Sequence, residues 1–208
     1  MSRYTGSKCR LCRRQGLKLL LKGPRCLTTK CAFEKRPFPP GIQRHGRRRI
    51  SSYGIQLREK QKVRFMYGIS ESQFNGYFTK ATKLSGVPGE NLLSLLEKRL
   101  DNVVYRMGLA DSRPDGRQMV LHGHFLLNGR KASVPSILVE KGDVVTLSEK
   151  GKKNKKVKEI SEEKEPATVP EWIEYDPDTP KGTIIREPKR DDIDYEVQEQ
   201  LIVEYYSR

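Results

Sequence analysis

The middle of the chain repeats apolar residues every three or four positions, which is the spacing of helices with one buried face. A first helix is predicted over about residues 52–67. Ser70 and Gln73 form the capping-box pattern that begins a second helix, which is predicted to end near Gly86. The buried face of this second helix is predicted to consist of Phe74, Tyr77, Phe78 and Ala81.

Two further helices are predicted before the pattern changes. The longer one ends before Gly108, and its apolar face carries Leu92, Leu96, Leu100, Val103 and Met107. A shorter helix is predicted from Ser112 to about Gly123, with Pro114 in its first turn, where proline is tolerated. The segment from residue 52 to residue 123 is therefore predicted to be mainly helical.

From His124 onward the apolar period changes to two, which is the pattern of strands. Asn128-Gly129 lies between two short runs and is typical of a two-residue hairpin turn. Further strands are predicted at residues 137–139 and 144–147, and residues 200–206 at the end of the chain are also β-rich and apolar. Helices combined with short antiparallel strands predict an α+β fold.

Positive charge is concentrated at one end of the chain. The formal net charge is +15, with 41 Lys and Arg against 26 Asp and Glu. Residues 1–64 carry 19 Lys or Arg and only two acids, Glu34 and Glu59, so this segment has a net charge of +17 and the remainder −2. Such a segment favours a polyanionic partner. Its prolines and glycines forbid the long amphipathic helix that binds a lipid surface, and no apolar run approaches the ~18 residues of a membrane span, so nucleic acid is favoured over a membrane.

Four cysteines lie within the first 31 residues, as Cys9-x2-Cys12-x13-Cys26-x4-Cys31. The opening residues lack the apolar stretch of a secretory signal, so we expect a reducing cytoplasmic location, where clustered cysteines are metal ligands more often than disulfides. A CxxC pair brings two thiolates to one ion from a single turn. The spacing predicts a structural site for one Zn²⁺ ion, with an iron–sulfur cluster as the less favoured alternative.

A basic motif extends through the predicted helices and hairpin between residues 96 and 131, as LEKRLDNVVYRMG, SR, RQMVLHGH and NGRK in that order. Arg113 and Arg117 are four residues apart on one helix, and so they share a face that suits successive phosphates. Arg99 suits RNA contact and an intramolecular ion pair equally well. His122 and His124 have no nucleophile or carboxylate partner in the pattern, so catalysis by them is not expected. The sequence also lacks a phosphate-binding glycine loop and paired carboxylates in an apolar setting, so neither enzymatic activity nor a small-molecule substrate is expected.

This motif resembles the small RNA-binding domain named after the fourth protein of the small ribosomal subunit. The resemblance covers nearly the whole chain, because four other segments resemble the bacterial form of that family in the same order: SRYTGSKCRLCRR, RPFPPG, LREKQKVRFMYGISESQF and EQLIVEYYSR. It implies a structural protein that is ribosome-bound in the cytoplasm. Such a protein is a primary binder of small-subunit ribosomal RNA (rRNA) and nucleates assembly of the 5′ region of that RNA.

Further properties are implied by the resemblance alone. Members of this family neighbour the fifth and third small-subunit proteins, influence decoding accuracy with them and line the messenger entry channel, and some bacterial members repress translation of their own mRNA. The metal ligands of the cysteine-bearing members correspond here to Cys9, Cys12, Cys26 and Cys31. The chain departs from the family at Gly116, where alanine is usual, and this change predicts a helix weaker by ~1 kcal/mol.

Three regions are expected: a basic metal-binding arm with four cysteines at residues 1–50, a helical domain at 51–95 onto which residues 180–208 fold back, and a small RNA-binding module at 96–179 with a charged loop at 149–165. RNA-binding residues are expected in the arm, at Arg3, Arg10, Arg13, Arg14, Arg36, Arg44, Arg47, Arg48 and Arg49. They are also expected in the two domains, at Arg58, Lys60, Lys62, Arg99, Arg113, Arg117, Gln118, His122, Arg130 and Lys131.

A zinc-ribbon regulator that binds DNA or RNA is the main alternative. It would share the basic cysteine segment, but it would also need a helix or ribbon that enters a major groove. The stretch from residue 37 to residue 49 is interrupted by prolines and glycines and does not suit that role. The ribosomal interpretation is therefore favoured.

Overall fold

The computed structural model describes residues 4–41, 50–155, 157 and 169–207. The backbone divides into two compact units, Met1–Leu92 with Tyr195–Arg208, and Leu93–Asp194. The described part of the first unit is helical and contains α1 (Lys8–Gln15), a 3₁₀ helix (Gly23–Leu27), α2 (Ala32–Lys35), α3 (Ser52–Met66), α4 (Glu71–Ala81) and the C-terminal α9 (Glu199–Tyr206). Helix α5 (Pro88–Glu97) begins in the first unit and ends in the second.

The second unit combines helices with one antiparallel sheet. Its helices are α6 (Leu100–Arg106), α7 (Arg113–Leu121), α8 (Glu149–Lys152) and a 3₁₀ helix (Arg190–Asp192). Its strands are β1 (Phe125–Leu127), β2 (Arg130–Ala132), β3 (Val144–Leu147), β4 (Ile173–Asp176) and β5 (Lys181–Ile184). The predicted α+β class is therefore confirmed.

Serine side chains begin two helices of the first unit. Ser51 Oγ accepts a hydrogen bond from the backbone N–H of Gly54 at 3.2 Å, and Ser70 Oγ accepts one from Gln73 at 3.3 Å. Each cap of this kind contributes about 1 kcal/mol. The predicted N-cap at Ser70 is confirmed, and the predicted face of α4 is buried at Phe74, Tyr77, Phe78 and Ala81.

The C-terminal segment forms helix α9, so the prediction of β structure there is wrong. Ile202 is fully buried, and the Tyr206 ring stacks on Phe78 with 4.6 Å between ring centroids. The Tyr206 hydroxyl also donates a 2.9 Å hydrogen bond to Glu71. Branched and aromatic residues favour strands, but Ile202 and Tyr206 are four residues apart and share one face of a helix, and packing against α3 and α4 decides the conformation.

The long helix predicted to reach Met107 is two helices, α5 and α6, because the chain leaves the helical path at Lys98 and Arg99. The Val139 N–H donates to Lys98 O at 2.8 Å, and the Leu100 N–H donates to the carbonyl of residue 137 at 2.8 Å. Residues 98–100 therefore pair with residues 137–139. The strand predicted at 137–139 is correspondingly reduced to one isolated bridge between Arg99 and Leu138.

Helix α7 has the predicted bounds to within two residues, with Pro114 in its first turn. A Cβ added at Gly116 would lie 2.8 Å from the carbonyl oxygen of Asp101. Real Cβ atoms do not approach this closely, so the absence of a side chain at Gly116 allows α7 to pack tightly on α6. Glycine lowers the helix propensity at position 116, but it is the residue that permits this close contact between α7 and α6.

The sheet has the order β2-β1-β3-β5-β4, and every neighbouring pair is antiparallel. The predicted hairpin joins β1 and β2, and both turn residues have positive φ, 50° at Asn128 and 76° at Gly129, as a type I′ turn requires. One face of the sheet packs on the helices over a core that includes Phe125, Val145 and Trp172, all fully buried. Strands β4 and β5 were not predicted from the sequence.

Candidate RNA-binding surface

The four cysteines lie on or beside three short elements of the first unit. Cys9 and Cys12 lie on α1, Cys26 lies in the 3₁₀ helix and Cys31 immediately precedes α2. Cys12, Cys26 and Cys31 are buried, and Cys9 is half-buried. Burial raises the pKa of the Cys12 thiol, a hydrogen bond from the Leu19 backbone opposes this rise, and the other three thiols add to it. All three thiols therefore lie near enough to Cys12 to influence it.

Four thiols are a donor set that suits zinc or an iron–sulfur cluster. Across residues 4–41, 50–155, 157 and 169–207, however, no three His, Cys, Asp or Glu side chains are grouped so that they would hold a metal ion. The types of donor residue fit the predicted metal, whereas a formed coordination site is not seen. The expectation of a metal-stapled arm is therefore not confirmed.

Eight of the residues predicted to bind RNA have exposed side chains, and they occur on both units. Those of the first unit are Arg10, Arg14, Arg36 and Arg58, and those of the second are Gln118, His122, Arg130 and Lys131. Arg10 and Arg14 are four residues apart on α1, so they extend from neighbouring positions on one helix. Exposed guanidinium and ammonium groups of this kind can approach phosphate oxygens without a change in the fold.

In the second unit an exposed basic cluster surrounds the turn between α7 and β1. Lys131 crosses this turn so closely that a Cβ on Gly123 would lie 2.5 Å from Lys131 Cε. Lys150 Nζ donates a 3.2 Å hydrogen bond to the carbonyl oxygen of His122. Lys150 was not among the predicted RNA-binding residues, although it begins the lysine-rich run in the sequence. His122, Lys131 and Lys150 together are named the turn cluster.

His124 lies beside the turn cluster and is buried. Its carbonyl oxygen accepts the Ser148 N–H at 2.9 Å, and its Nε2 lies 3.4 Å from the side-chain nitrogen of Asn154. Burial lowers the pKa of the His124 imidazole, and the positive charges of Lys150 and His122 lower it further. A neutral ring is therefore the form that suits this position.

Two arginines that were predicted to bind RNA, Arg99 and Arg113, are instead buried in ion pairs. Arg113 belongs to a polar network centred on Glu97. Arg113 Nη2 lies 3.4 Å from Glu97 Oε1, and Arg106 Nε donates to Glu97 Oε2 at 2.8 Å. Arg113 Nε also donates to Asn102 Oδ1 at 2.7 Å. Arg99, which is completely buried, forms two hydrogen bonds with the adjacent carboxylate of residue 101, at 3.0 and 2.7 Å. The sequence motif carried no signal that Glu97 would be buried among cations.

These contacts correct the expected roles of Arg99 and Arg113. A guanidinium that is buried and paired with carboxylates has no donor left on the surface for a phosphate. Arg117 is half-buried and donates to Asp101 at 3.1 Å, so Arg113 and Arg117 do not form the expected free phosphate-binding face. The intramolecular alternative for Arg99 is the one that the structure contains.

Lys60 is also taken up by an internal contact. The Lys60 side chain is only 3% exposed. Its Nζ lies 2.6 Å from Glu71 Oε1 and 4.6 Å from the centroid of the Tyr205 ring. Burial by itself would raise the pKa of Glu71, but hydrogen bonds from Lys60 and Tyr206 outweigh that effect and lower it. Lys60 therefore fastens α3 to α4 and is corrected from an RNA contact to a structural residue.

Two further predicted residues are half-buried and partly engaged. Arg13 Nε donates to the carbonyl oxygen of Phe38 at 2.9 Å. Lys62 Nζ donates to the carbonyl oxygen of Glu196 at 2.8 Å and pairs with Glu59 at 2.5 Å. The remaining five predicted residues lie outside the described residues: Arg3, Arg44, Arg47, Arg48 and Arg49.

Comparison with known families defines the class of the protein. Residues 3–97 match the model described as ribosomal protein S4/S9 N-terminal domain, and residues 98–145 match the S4 domain. The two matches are adjacent in the chain and together cover residues 3–145. Among the described residues, no helix is long and apolar enough to cross a membrane.

Curated relatives extend the similarity to the full length of the chain. The small ribosomal subunit protein uS4 of Pelotomaculum thermopropionicum is 55% identical over 208 residues, and that of Halothermothrix orenii is 56% identical over 210 residues, each alignment covering all of both chains. The protein of the same name from Geobacter sp. (strain M21) is 55% identical over 208 residues, again with complete coverage. The chain belongs to the uS4 family of ribosomal proteins, which confirms the family resemblance found in the sequence.

Proposed function

We propose that this protein is a structural component of the small ribosomal subunit and binds small-subunit rRNA. The observation that carries the proposal is the full-length similarity to relatives named small ribosomal subunit protein uS4, at 53–56% identity. A ribosomal protein of this kind needs no active site, and its proposed role is not enzymatic. The similarity covers both units, so it favours this role over that of a zinc-ribbon regulator.

The exposed cations of the two units are the proposed RNA contacts. In the second unit Arg130 and Lys131 lie on β2, the strand at one edge of the sheet, and Lys131 also belongs to the turn cluster with His122 and Lys150. In the first unit Arg10, Arg14 and Arg36 lie on or next to the elements that carry the cysteines. Basic groups spread over a rigid scaffold recognise the shape and backbone of structured RNA more than its base sequence.

The buried cations have a different role in this proposal. Arg113 on α7 joins α5 and α6 through Glu97 and Asn102, whereas Arg99 pairs with Asp101 at the start of α6. They act on RNA binding only through the position of the neighbouring surface. Loss of either residue is expected to destabilise the second unit first.

A structural metal ion in the arm is part of the proposal. Cys9, Cys12, Cys26 and Cys31 would supply four thiolates to one Zn²⁺ ion, an iron–sulfur cluster being less favoured, and the spacing of the cysteines on or beside three short elements supports this assignment. Bound zinc would cross-link three short elements that have a small apolar core. Metal analysis of the purified chain tests this point: about one zinc per chain is expected, and Cys31→Ser should lose it, whereas a metal-free wild type would contradict it.

The finer roles are proposed from the family. They comprise assembly of the 5′ region of the rRNA, a contribution to decoding accuracy together with the fifth and third small-subunit proteins, contact with mRNA, and repression of translation of its own mRNA. The exposed basic surface supports RNA contact in each of them. The ribosome in the cytoplasm is the corresponding location.

The test uses purified full-length chain and small-subunit rRNA. Replacing Arg130 and Lys131 together by Gln is expected to weaken rRNA binding at physiological salt by about tenfold and to reduce the salt slope by about 1.5, because two phosphate contacts are lost. The melting temperature should remain unchanged because both side chains are exposed. The double variant Glu140→Gln/Lys141→Gln, also on exposed side chains of the second unit, is the control. Equal loss of RNA affinity in both variants would contradict the assignment of the β2 surface.

A further inference from the structure

The outer edge of β4 is unpaired at Tyr175 in the part of the chain that the structure describes, whereas the N–H of Ile173 donates to Pro170 O at 3.0 Å. Strand β4 is the last strand of the sheet and pairs only with β5 among the described strands. The Ile185 N–H donates to Trp172 O at 3.0 Å, so residues 172 and 185 form a hydrogen-bonded pair. Because such pairs alternate along an antiparallel ladder, the next ones involve Glu174 and Asp176. The backbone N–H and C=O of Tyr175 therefore point away from β5.

Acidic side chains surround this open edge. Glu174 and Asp176 are exposed on β4, and Asp178 is exposed in the turn that follows. Asp176 accepts hydrogen bonds from the Asp178 N–H and the Thr179 hydroxyl and lies opposite Lys181, so it serves the turn. Glu174 and Asp178 form no salt bridge with any residue that the structure describes. Two carboxylates thus remain available beside Tyr175.

The opposite edge of the same sheet has the opposite charge. Its strand β2 carries exposed Arg130 and Lys131. A polyanion is attracted to the β2 edge and repelled from the β4 edge, and two copies of this chain paired β4 to β4 would bring like charges together. The partner that suits β4 is therefore cationic and able to form a strand.

We propose that the open edge of β4 binds an extended Lys- and Arg-rich segment of a partner protein by strand addition. The added strand hydrogen-bonds to the outward backbone groups of Tyr175. Its basic side chains recur at every second residue on one face, and two of them that are four residues apart face Glu174 on the strand and Asp178 just beyond its end. This interaction is separate from the proposed RNA contacts on β2, so one sheet joins RNA at one edge to a basic polypeptide at the other.

The experiment titrates the full-length chain with the peptide KVKVKVKVK and measures affinity and amide hydrogen exchange. We expect slower exchange at Tyr175, and binding about five- to tenfold weaker to Glu174→Gln/Asp178→Asn at low salt. Methylation of alternate peptide nitrogens, which preserves charge but blocks strand pairing, should weaken binding more than about tenfold. The Arg130→Gln/Lys131→Gln variant is the matched control and should bind the peptide as tightly as the wild type does.

RNA binding by the same variants separates this inference from the proposed function. Glu174→Gln/Asp178→Asn should bind small-subunit rRNA as the wild type does. Three outcomes would overturn the inference: no peptide binding even at low salt, equal binding of the methylated and unmethylated peptides, or protection of Tyr175 by RNA. The first outcome would mean that the carboxylates only prevent edge-to-edge pairing. None of these outcomes depends on whether the β2 edge binds rRNA.

Discussion

Replacement of Glu97 by Gln is expected to destabilise the second unit by about 3–5 kcal/mol, which is the usual effect of breaking a buried ion pair by removing one partner. Glu97 is completely buried and accepts hydrogen bonds from Arg106, Arg113 and Asn102. Glutamine keeps the volume but removes the negative charge and turns an NH₂ group toward guanidinium donors. Asp194 still pairs with Arg106 at 2.6 Å, which places the expected loss nearer the lower bound, about 3 kcal/mol.

The single tryptophan of the chain allows this unit to be followed by itself. Trp172 is fully buried in the second unit, so its fluorescence reports on unfolding there even if the first unit unfolds separately. Urea titrations of the full-length wild type and Glu97→Gln, fitted with a common slope, give the difference in unfolding free energy. Glu140→Gln is the control, because Glu140 is an exposed acid of the same unit and its replacement should change stability by no more than about 0.5 kcal/mol.

A second measurement separates structure from RNA contact. Arg113→Met should lower the urea midpoint of Trp172 fluorescence strongly, because it leaves Glu97 and Asn102 short of a donor. A loss below about 1 kcal/mol for Glu97→Gln, or an Arg113→Met variant that is fully stable but binds rRNA weakly, would refute the reasoning. In that case Arg113 would be an RNA contact after all.

Two more predictions concern individual side chains. Tyr206→Phe removes the hydroxyl that donates to Glu71 and should cost about 1–2 kcal/mol, with faster hydrogen exchange in α9; exchange equal to that of the wild type would show that ring stacking alone holds the helix. The pKa of His124 is lowered in the folded chain, so the unfolded chain binds a proton first as the pH falls. The neutral His124 ring therefore contributes fully to stability above the ordinary pKa of 6.5, and this contribution is lost as the pH falls below that value. The urea midpoint of Trp172 fluorescence should therefore decline between about pH 7 and about pH 5.5. The decline should be smaller in His124→Gln than in His122→Gln, and equal declines in the two variants would contradict a stabilising role of neutral His124.

Most of the helical framework could be predicted from the sequence because its signals are local. Ser70, the apolar face of α4 and the Asn128-Gly129 turn all act within a few residues. The interruption at Lys98 and the helical C-terminus could not be predicted in this way, because each depends on partners distant in the chain. Strands β4 and β5 were missed because charged and turn-forming residues obscure their short apolar pattern.

The candidate site was predicted less completely, since composition shows charge but not burial. Arg130 and Lys131 were expected on the surface and are exposed there, whereas Arg99 and Lys60 look equally basic in the sequence and are buried in ion pairs. The difference lies in nearby carboxylates, Asp101 and Glu71, whose positions only the fold determines. The cysteines were recognised by spacing, and the packing of α1 beside α2 brings the elements next to Cys9, Cys12 and Cys31 together.

The central claim is that the chain binds structured small-subunit rRNA through its exposed cations. The most direct measurement compares the affinity of the full-length chain for small-subunit rRNA with its affinity for random duplex DNA at physiological salt, together with co-sedimentation with small ribosomal subunits after a high-salt wash. We expect much tighter binding to the rRNA and retention of the chain on the subunits. Equal affinity for the two nucleic acids, together with release from the subunits, would contradict it.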